Sequence, residues 1–228
     1  MTEAWRTKPG GFHESGPRMA RPTLSVIIPV RSGELALPAL VARLERDAAI
    51  REVLVCKEGS RPKSLNAGAA RASGDLLWFL HADSGLEGDS VERLLEAAKR
   101  HPDAVLFFDL VFARDGGALI RLNQWGANLR SRLLKLPFGD QGLACRRETF
   151  KRIGPYPEGA PYGEDHLFVW QAHCAGVPLV PVGAPLVTSA RRYAETGWLK
   201  LTLLYQYRWL AQAAGAAWRC LKTWRARR

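Results

Sequence analysis

The run LSVIIPV at residues 24–30 constrains the fold more than any other feature, because it is apolar and rich in β-branched side chains. Such a run is typical of a strand that is buried on both faces of a sheet. Three later segments share this character, namely EVLVC at 52–56, DLLWFL at 75–80 and DAVLFFDLVFA at 103–113. The chain therefore predicts four buried strands.

Helical patterns lie between these strands. The first pattern has apolar residues at three- and four-residue spacing, at Leu37, Leu40, Val41 and Leu44. Further helices are predicted over 63–72, 87–100 and about 118–135. This alternation implies right-handed crossovers, and hence an α/β fold with a mostly parallel sheet and helices on both faces. In such sheets ligands lie beyond the carboxyl ends of the strands.

The composition is that of a globular protein, with 47% hydrophobic and 24% charged residues among 228, which excludes a wholly disordered chain. Of the formal net charge of +11, +8 lies in the last 38 residues. This basic tail could meet anionic lipid, nucleic acid or solvent. We expect a disordered leader over 1–20, one domain over 21–195 and a basic amphipathic helix over 196–228.

Targeting signals are weak. The first eighteen residues lack the apolar segment of a signal peptide, and Met19 could be the true start. No apolar run approaches the roughly 18 residues that span a bilayer. The four cysteines form no C-x-x-C pair and are expected to be free buried thiols, which suits a reducing cytoplasm. We therefore expect a cytoplasmic protein, with or without contact to the inner face of the cell membrane.

Acidic residues occupy two positions that are suited to chemistry. Asp83 follows the strand that ends at Leu80, where a carboxylate can hold a hard divalent cation together with substrate phosphates. A helix cap or turn is the ordinary alternative. Glu164 and Asp165 follow a Pro-Tyr-Gly turn and open a helix, whose dipole stabilises anions. One of them could act as a general base, although N-capping explains an acid there equally well.

Other polar residues accompany them. Arg61 and Asn66 belong to a basic stretch at the start of the second helix, which could bind anions or form a solvated surface. Asp140 and Gln141, in the loop PFGDQG, could contact a polar acceptor or merely close a turn.

Four segments in their order resemble the family 2 glycosyltransferases, which are inverting enzymes of the GT-A fold. The segments are LSVIIPV, EGSRPKSLNAGAARASGD, LLWFLHADS, and FGDQGLACRRETFKRIGPYPEG with PYGEDHLFVWQAHCAG. The resemblance covers roughly residues 22–210. The short chain, FLHADS and the late TSARRY at 188–193 are similar to a small stand-alone bacterial subfamily of uncharacterised transferases.

The resemblance implies transfer from a nucleotide diphosphate sugar, assisted by a divalent cation, Mn²⁺ or Mg²⁺. Asp83 matches the metal-binding Asp of the D-x-D motif. Asp165, beside Glu164, matches the catalytic base. Nucleotide-sugar contacts are implied for Pro29, Val30, Glu34, Glu58, Arg61, Asn66, Ala82, Arg191 and Arg192. Asp140 and Gln141 are the expected acceptor contacts.

Two positions depart from the family pattern. Lys57 replaces the acid that reads the base or ribose, so uridine specificity is not implied, and His81 replaces the first Asp of the metal motif. Diphosphate oxygens and water would then have to complete the coordination of the cation. QYRW at 206–209 is one residue short of the Q-x-x-R-W of processive members, so we expect a single-transfer enzyme.

The C-terminal segment predicts a long helix from Trp198 to Trp224. Its apolar stripe comprises Leu203, Tyr207, Leu210, Ala214, Ala217, Leu221 and Trp224. Such a helix can lie on an anionic membrane, in which case the acceptor could be lipid-linked. Alternatively, the stripe packs on the domain or on a second subunit.

Two other functions stay open. The first is a sugar-phosphate nucleotidyltransferase, although R-S-G-E at 31–34 is a poor phosphate loop. The second is a non-catalytic nucleotide-binding module. The sequence contains no recognisable motif that reads nucleic acid, so nucleic acid is not an expected partner.

Overall fold

The structure, a computed structural model, describes residues 22–30, 33–115 and 117–226, apart from the side chains at 223, 224 and 226. The predicted leader over 1–20, the alternative start at Met19 and the first half of R-S-G-E lie outside these residues. The Trp224 side chain of the predicted stripe lies outside them too.

One sheet forms the centre of the described molecule. Its strands are β1 (Leu24–Pro29), β2 (Ile50–Cys56), β3 (Leu76–Phe79), β4 (Gly85–Leu86), β5 (Val105–Phe112), β6 (Ala144–Arg146) and β7 (Leu179–Thr188). They lie in the order β2-β1-β3-β6-β5-β7-β4. Within this sheet, β1, β2, β3, β5 and β7 point the same way, and the short β4 and β6 run against them. The predicted mostly parallel sheet is confirmed.

Helices cover the sheet. They are α1 (Leu37–Leu44), α2 (Arg61–Arg71), α3 (Ser90–Arg100), α4 (Ile120–Leu133), α5 (Arg147–Ile153), α6 (Glu164–Cys174), α7 (Arg191–Thr196) and α8 (Trp198–Ala226). The periodic segments of the sequence correspond to α1–α4, α6 and α8. A proline lies in the first turn of both α1 and α2, where its missing N–H costs no helical hydrogen bond.

β1 shows why the sheet is buried on both faces. Val26 and Ile28 point into one core with α1 and α3, whereas Ile27 points into a second core with α2 and α6. All three side chains are fully buried. This alternation within one apolar strand confirms that helices cover both faces.

β7 is a long strand that the sequence did not predict. Its segment, LVPVGAPLVT, contains two prolines and a glycine, which weaken the pattern of an interior strand. It pairs in parallel with β5, and the register shifts between Phe107 and Asp109. Because β7 ends at Thr188, it brings the residues that follow, Ser189 to Arg191, to the carboxyl edge of the sheet.

The cysteine prediction is wrong for two of the four residues. Cys174 and Cys220 form a disulfide bond, with their Cα atoms 5.0 Å apart. They are 46 residues apart in sequence and meet because α8 packs along α6, which spacing could not reveal. Cys56 and Cys145 are free and buried, as predicted. Burial raises the pKa of Cys145 to about 12, so this thiol is not a nucleophile.

The C-terminal helix α8 packs on the domain through one side. Leu201 and Ala216 are buried, and Trp209 packs against the core formed with α6. The predicted stripe lies on the other side, where Leu203, Tyr207 and neighbouring residues are exposed. None of the helices in the described ranges could span a membrane, on grounds of length and hydropathy.

Candidate active site

A cavity at the carboxyl edge of the sheet contains Asp83. The strand β3 ends at Phe79, and Asp83 lies in the turn that leads to β4. The cavity has a volume of about 290 Å³, and its lining includes Glu34, Asp115, Ser189 and Arg191. The structure therefore brings together three of the predicted residues. They are Asp83, predicted to bind the metal, Glu34, predicted to contact the donor, and Arg191 of the late basic pair.

Asp115 is a cavity residue that the sequence analysis missed. Its Oδ2 accepts a hydrogen bond from Ser189 Oγ at 2.5 Å, and its Oδ1 accepts one from the Ala190 amide at 2.8 Å. Burial would raise the pKa of Asp115, but these bonds outweigh it and the pKa is lowered. Asp115 thus fixes the start of α7 and, with it, Arg191 at the rim. Like Asp83, Asp115 follows a buried strand, and that signal could have found it.

Glu164 and Asp165 lie in the first turn of α6. Gly163 precedes them with a φ of 66°, a left-handed conformation that glycine adopts without steric cost, and it turns the chain into the helix. The two carboxylates therefore lie at the positive end of the helix dipole, which stabilises their charge.

Arg61 joins this acid pair to the strand edge. Its Nη1 lies 2.5 Å from Glu164 Oε1 and 2.6 Å from Asp165 Oδ2, and its Nη2 contacts His81 Nε2. The side chains of Arg61, Glu164 and Asp165 are 26%, 13% and 14% exposed. One guanidinium thus connects the N-termini of α2 and α6 with the residue two positions before Asp83.

His81 is uncharged in this arrangement. Burial lowers its pKa well below the ordinary value, and the Arg61 cation lowers it further. A guanidinium can only donate hydrogen bonds, so His81 Nε2 accepts and the ring proton lies on Nδ1. The residue that replaces the first Asp of the metal motif is therefore neutral and already has Arg61 as a partner.

The loop before β6 lies against Asp165. A Cβ built on Gly139 would overlap the carboxylate of Asp165, so a side chain at this position would displace Asp165. The next residue, Asp140, has an Oδ1 that is buried and lacks a hydrogen-bond partner within the described structure.

Burial and several nearby charges together set the pKa of Asp140. Burial raises its pKa to about 6, and Arg130 opposes this effect. The charges of Asp165 and Asp83 raise its pKa too, while Arg61 lowers it. The net result is a carboxyl group that binds its proton more tightly than an ordinary Asp.

Gln141 is not available to an acceptor. Its side chain is 0% exposed; its oxygen accepts from Ser131 Oγ and the Phe138 amide, and its nitrogen donates to the Phe108 carbonyl. The prediction that Gln141 binds the acceptor is therefore wrong. The residue closes the turn that presents Gly139 and Asp140.

Two of the predicted donor contacts have structural partners. Both amide hydrogens of Asn66 are used, by the Tyr156 carbonyl and by Glu158, and its oxygen accepts from the Tyr156 amide. Glu58 pairs with Arg71 at 2.9 Å. The structure thus gives Asn66 the task of holding residues 156–158 and does not bring its amide into the cavity.

The remaining predicted donor contacts lie either at the ends of strands or near the rim of the cavity. Pro29, Val30 and Ala82 lie at or just beyond the ends of β1 and β3, with Val30 and Ala82 buried. Arg191 lines the cavity, whereas Arg192, also exposed, is absent from its lining. Only the first residue of the basic pair is therefore at the rim.

The donor set around Asp83 fits a hard cation under one condition. Among the described residues, no three His, Cys, Asp or Glu side chains lie close enough to hold a metal by themselves. The cavity does present carboxylate oxygens, those of Asp83 included, which Mg²⁺ and Mn²⁺ prefer. The site therefore fits a cation whose remaining ligands are substrate phosphates and water.

Comparisons with known proteins agree with this architecture. Residues 50–154 match the family model described as glycosyl transferase family 2. A search of curated proteins finds no significant match.

Solved structures share the fold. TarS 1–349 of S. aureus matches with a TM-score of 0.54 and 15% identity, covering 73% of this chain and 60% of that one. Against a longer TarS structure the chain spans 36% of its length, with a TM-score of 0.52. A glucosyl-3-phosphoglycerate synthase from Mycobacterium tuberculosis, in complex with Mn²⁺, UDP-glucose and phosphoglyceric acid, matches with a TM-score of 0.50 and 16% identity over 79% of this chain and 77% of that one. At these identities the likeness shows the GT-A fold.

Proposed function

We propose that this chain, whose residues 50–154 match the glycosyl transferase family 2 model, is a glycosyltransferase that moves a sugar from a nucleoside diphosphate donor to a hydroxyl acceptor in one inverting step. The observation that supports the proposal is a chain of contacts from Asp165 to the strand end that carries Asp83. Asp83 lines the cavity, Asp165 pairs with Arg61, and Arg61 contacts His81, two residues before Asp83. A donor phosphate and an acceptor hydroxyl could therefore meet there.

The proposed reaction is a single displacement. Asp165 takes the proton of the acceptor hydroxyl as that oxygen forms a bond to the anomeric carbon. The bond from that carbon to the diphosphate oxygen breaks on the opposite face, and the nucleoside diphosphate leaves with the electron pair. The attack from behind inverts the configuration.

Charges on this chain would stabilise the departing group. Arg191, at the cavity rim, is positioned to meet the diphosphate, and such preorganised charge lowers the barrier where negative charge develops. Asp83 would hold Mn²⁺ or Mg²⁺, which when bound would neutralise part of the diphosphate charge. Arg61, held by two acids, would contact the donor from the other side of the edge.

The acceptor would bind beside Asp165. Asp140 is the remaining candidate for a contact, because it follows Gly139, which touches Asp165, and because its buried Oδ1 has no partner among the described atoms. The identity of the acceptor stays a prediction. A cytoplasmic location and contact with a membrane also stay predictions. The family match favours glycosyl transfer over a nucleotidyltransferase or a non-catalytic module.

A thermal-shift panel tests the donor site. Nucleoside diphosphates and nucleotide sugars would be added with and without Mn²⁺ or Mg²⁺. A ligand that binds only the folded protein at a hundredfold excess over its Kd stabilises it by about 2.7 kcal/mol. One nucleotide family is expected to give a metal-dependent shift in the wild type and in Asp165→Asn, and none in Asp83→Asn.

Asp103→Asn is the matched control. Asp103 precedes β5 at the opposite edge of the sheet, its side chain is 76% exposed, and it lies 3.9 Å from Arg152. This variant should behave like the wild type. A panel without any nucleotide response, or an Asp83→Asn variant that retains the full metal-dependent shift, would contradict the proposed site.

A further inference from the structure

Two neighbouring helices present large apolar side chains to solvent. On α4 these residues recur at helical spacing and are 41–70% exposed: Leu122, Trp125, Leu129 and Leu133. On α8 a similar row is 58–70% exposed: Leu199, Leu203, Tyr207 and Leu210. Each row lies on one face of its helix because three- and four-residue steps return to the same side.

The two rows lie side by side. Asn123 of α4 accepts a hydrogen bond from Trp198 Nε1 at 2.9 Å and donates to Thr202 Oγ1 at 2.9 Å. These contacts fix the start of α8 against α4. Leu122 is adjacent to Asn123, and Leu199 and Leu203 are adjacent to Trp198 and Thr202. The two exposed rows therefore begin next to each other, and we term them together the α4–α8 face.

The exposed row of α8 is distinct from the side of the helix that packs on the domain. The opposite side of α8 already packs against the domain: Gln212 bonds to His166 and to the Tyr162 carbonyl, and Cys220 is bonded to Cys174. A contiguous exposed apolar surface on a folded domain commonly marks a binding site.

The charged residues of α4 and α8 are all basic. Neither helix contains an Asp or Glu; α4 carries Arg121, Arg130 and Arg132, and α8 carries Lys200, Arg208, Arg219, Lys222 and Arg225. Arg132 pairs with Asp109 of β5, and Arg130 stacks on Phe138. Arg121 and Lys200 are exposed at the start of their helices.

We propose that the α4–α8 face docks on an anionic lipid bilayer. Aromatic and aliphatic side chains flanked by Lys and Arg suit the headgroup region, where apolar burial and attraction to acidic lipids add together. A second copy of the chain is a poorer occupant, because a symmetric contact would set like charges against each other. The proposal goes beyond the proposed function and does not require catalysis.

Docking would orient the active site. The middle of α8 supports the turn before α6, through Gln212 on the Tyr162 carbonyl and Arg208 over the Tyr162 ring. Glu164 and Asp165 begin α6 directly after this turn. A bilayer beneath α8 would therefore lie near the acid pair, as an acceptor carried on lipid requires.

The test is flotation of the full chain with vesicles of neutral phosphatidylcholine, with and without phosphatidylglycerol. The wild type should float with anionic vesicles only, and less so at high salt. Trp125→Ala with Leu129→Ala should weaken binding about tenfold, and Arg121→Glu with Lys200→Glu by about tenfold or more. Lys99→Glu with Arg100→Glu, on α3 across the sheet, is the matched charge control and should leave binding unchanged.

Other outcomes would overturn the proposal. They are absence of flotation with either vesicle, equal loss in the α3 control, or a dimer in sedimentation that the Trp125 and Leu129 changes convert to a monomer without any vesicle binding. The nucleotide thermal shift should be the same in all these variants. If the nucleotide thermal shift is lost while flotation is retained, the result contradicts the proposed donor site and not the membrane contact. The two proposals can therefore fail separately.

Discussion

The acid pair at α6 and the α4–α8 face differ in the sign and the pairing of their charges. At α6, two carboxylates share one guanidinium in a largely buried setting, with 2.5 and 2.6 Å contacts. On the α4–α8 face, exposed cations and exposed apolar side chains stand together without an acid on either helix. The two regions belong to packed neighbours, since α8 holds α6 through Gln212 and the disulfide bond.

This difference indicates what each region is for. In the acid pair, one guanidinium compensates part of the charge of two carboxylates and fixes their positions, which offsets part of the cost of burying them. Charges of one sign beside uncovered apolar surface instead suit a partner from outside. The acid pair therefore suits the proposed chemistry, and the α4–α8 face suits the proposed contact with a membrane.

The largest expected effect is at Asp165. Asp165→Asn keeps the size of the side chain but removes the proton acceptor, so turnover should fall by about 10²–10⁴-fold. Release of nucleoside diphosphate from the donor that the thermal-shift panel identifies would measure it. Nucleotide binding should persist, and a fully active variant would place the base elsewhere.

The disulfide bond connects the two regions and should have the next largest effect. Replacing both Cys174 and Cys220 by Ser opens a loop of 46 residues, for which the chain-entropy relation gives about 4 kcal/mol of lost stability. Urea unfolding of the oxidised protein measures the change. The wild type in reductant is the matched control and should unfold like the double variant; insensitivity to reductant would contradict the bond.

Asp140 should make stability depend on pH. Its pKa is about 6 in the folded protein, against an ordinary value of 3.8, and each pKa unit corresponds to about 1.4 kcal/mol, so ionisation costs the folded state about 3 kcal/mol. The folded protein binds the proton more tightly, and this cost therefore appears as the pH rises from about 4 to 6.

Asp140→Asn removes that cost. The variant should be more stable than the wild type above pH 6, and the difference should vanish below about pH 4, where both folded and unfolded carboxyls are protonated. Urea midpoints across this range measure it. A difference that is constant with pH would show that Asp140 does not carry the perturbed proton.

The smallest effect in this series is expected at Gly139. Gly139→Ala places a methyl group where the Asp165 carboxylate lies, and a displaced base should lower turnover about tenfold to a hundredfold. Gly159→Ala is the control, because a Cβ there meets no atom within 4 Å. Equal turnover in both variants would mean that Asp165 tolerates displacement.

The strands and helices that carry strong patterns could be predicted from sequence. β1 is buried on both faces and α1 repeats its apolar residues, so local pattern and tertiary burial agree. β7 was missed because Pro181, Pro185 and Gly183 interrupt its pattern, and only its pairing with β5 overrides them. The disulfide was not predicted for a related reason. Its two cysteines are 46 residues apart in sequence and meet only through the packing of α8 on α6.

The site was predictable in residue type more than in role. Asp83, which strand-end reasoning selected, lines one cavity with Glu34 and Arg191, which the family resemblance implied. The amides of Gln141 and Asn66 are used by the surrounding loops, which no sequence pattern distinguishes from ligand contacts. Arg61 was expected to contact the donor, but its pairing with both acids depends on the relative placement of α2 and α6.

The position of a bound metal tests the central claim most directly. Crystals of the full chain would be grown with Mn²⁺ and the nucleoside diphosphate that the panel identifies, and an anomalous map would locate the ion. We predict a single strong peak at the Asp83 carboxylate, in contact with the diphosphate and on the same edge as Asp165. A peak at any other site, or bound nucleotide without a peak near Asp83, would contradict the account.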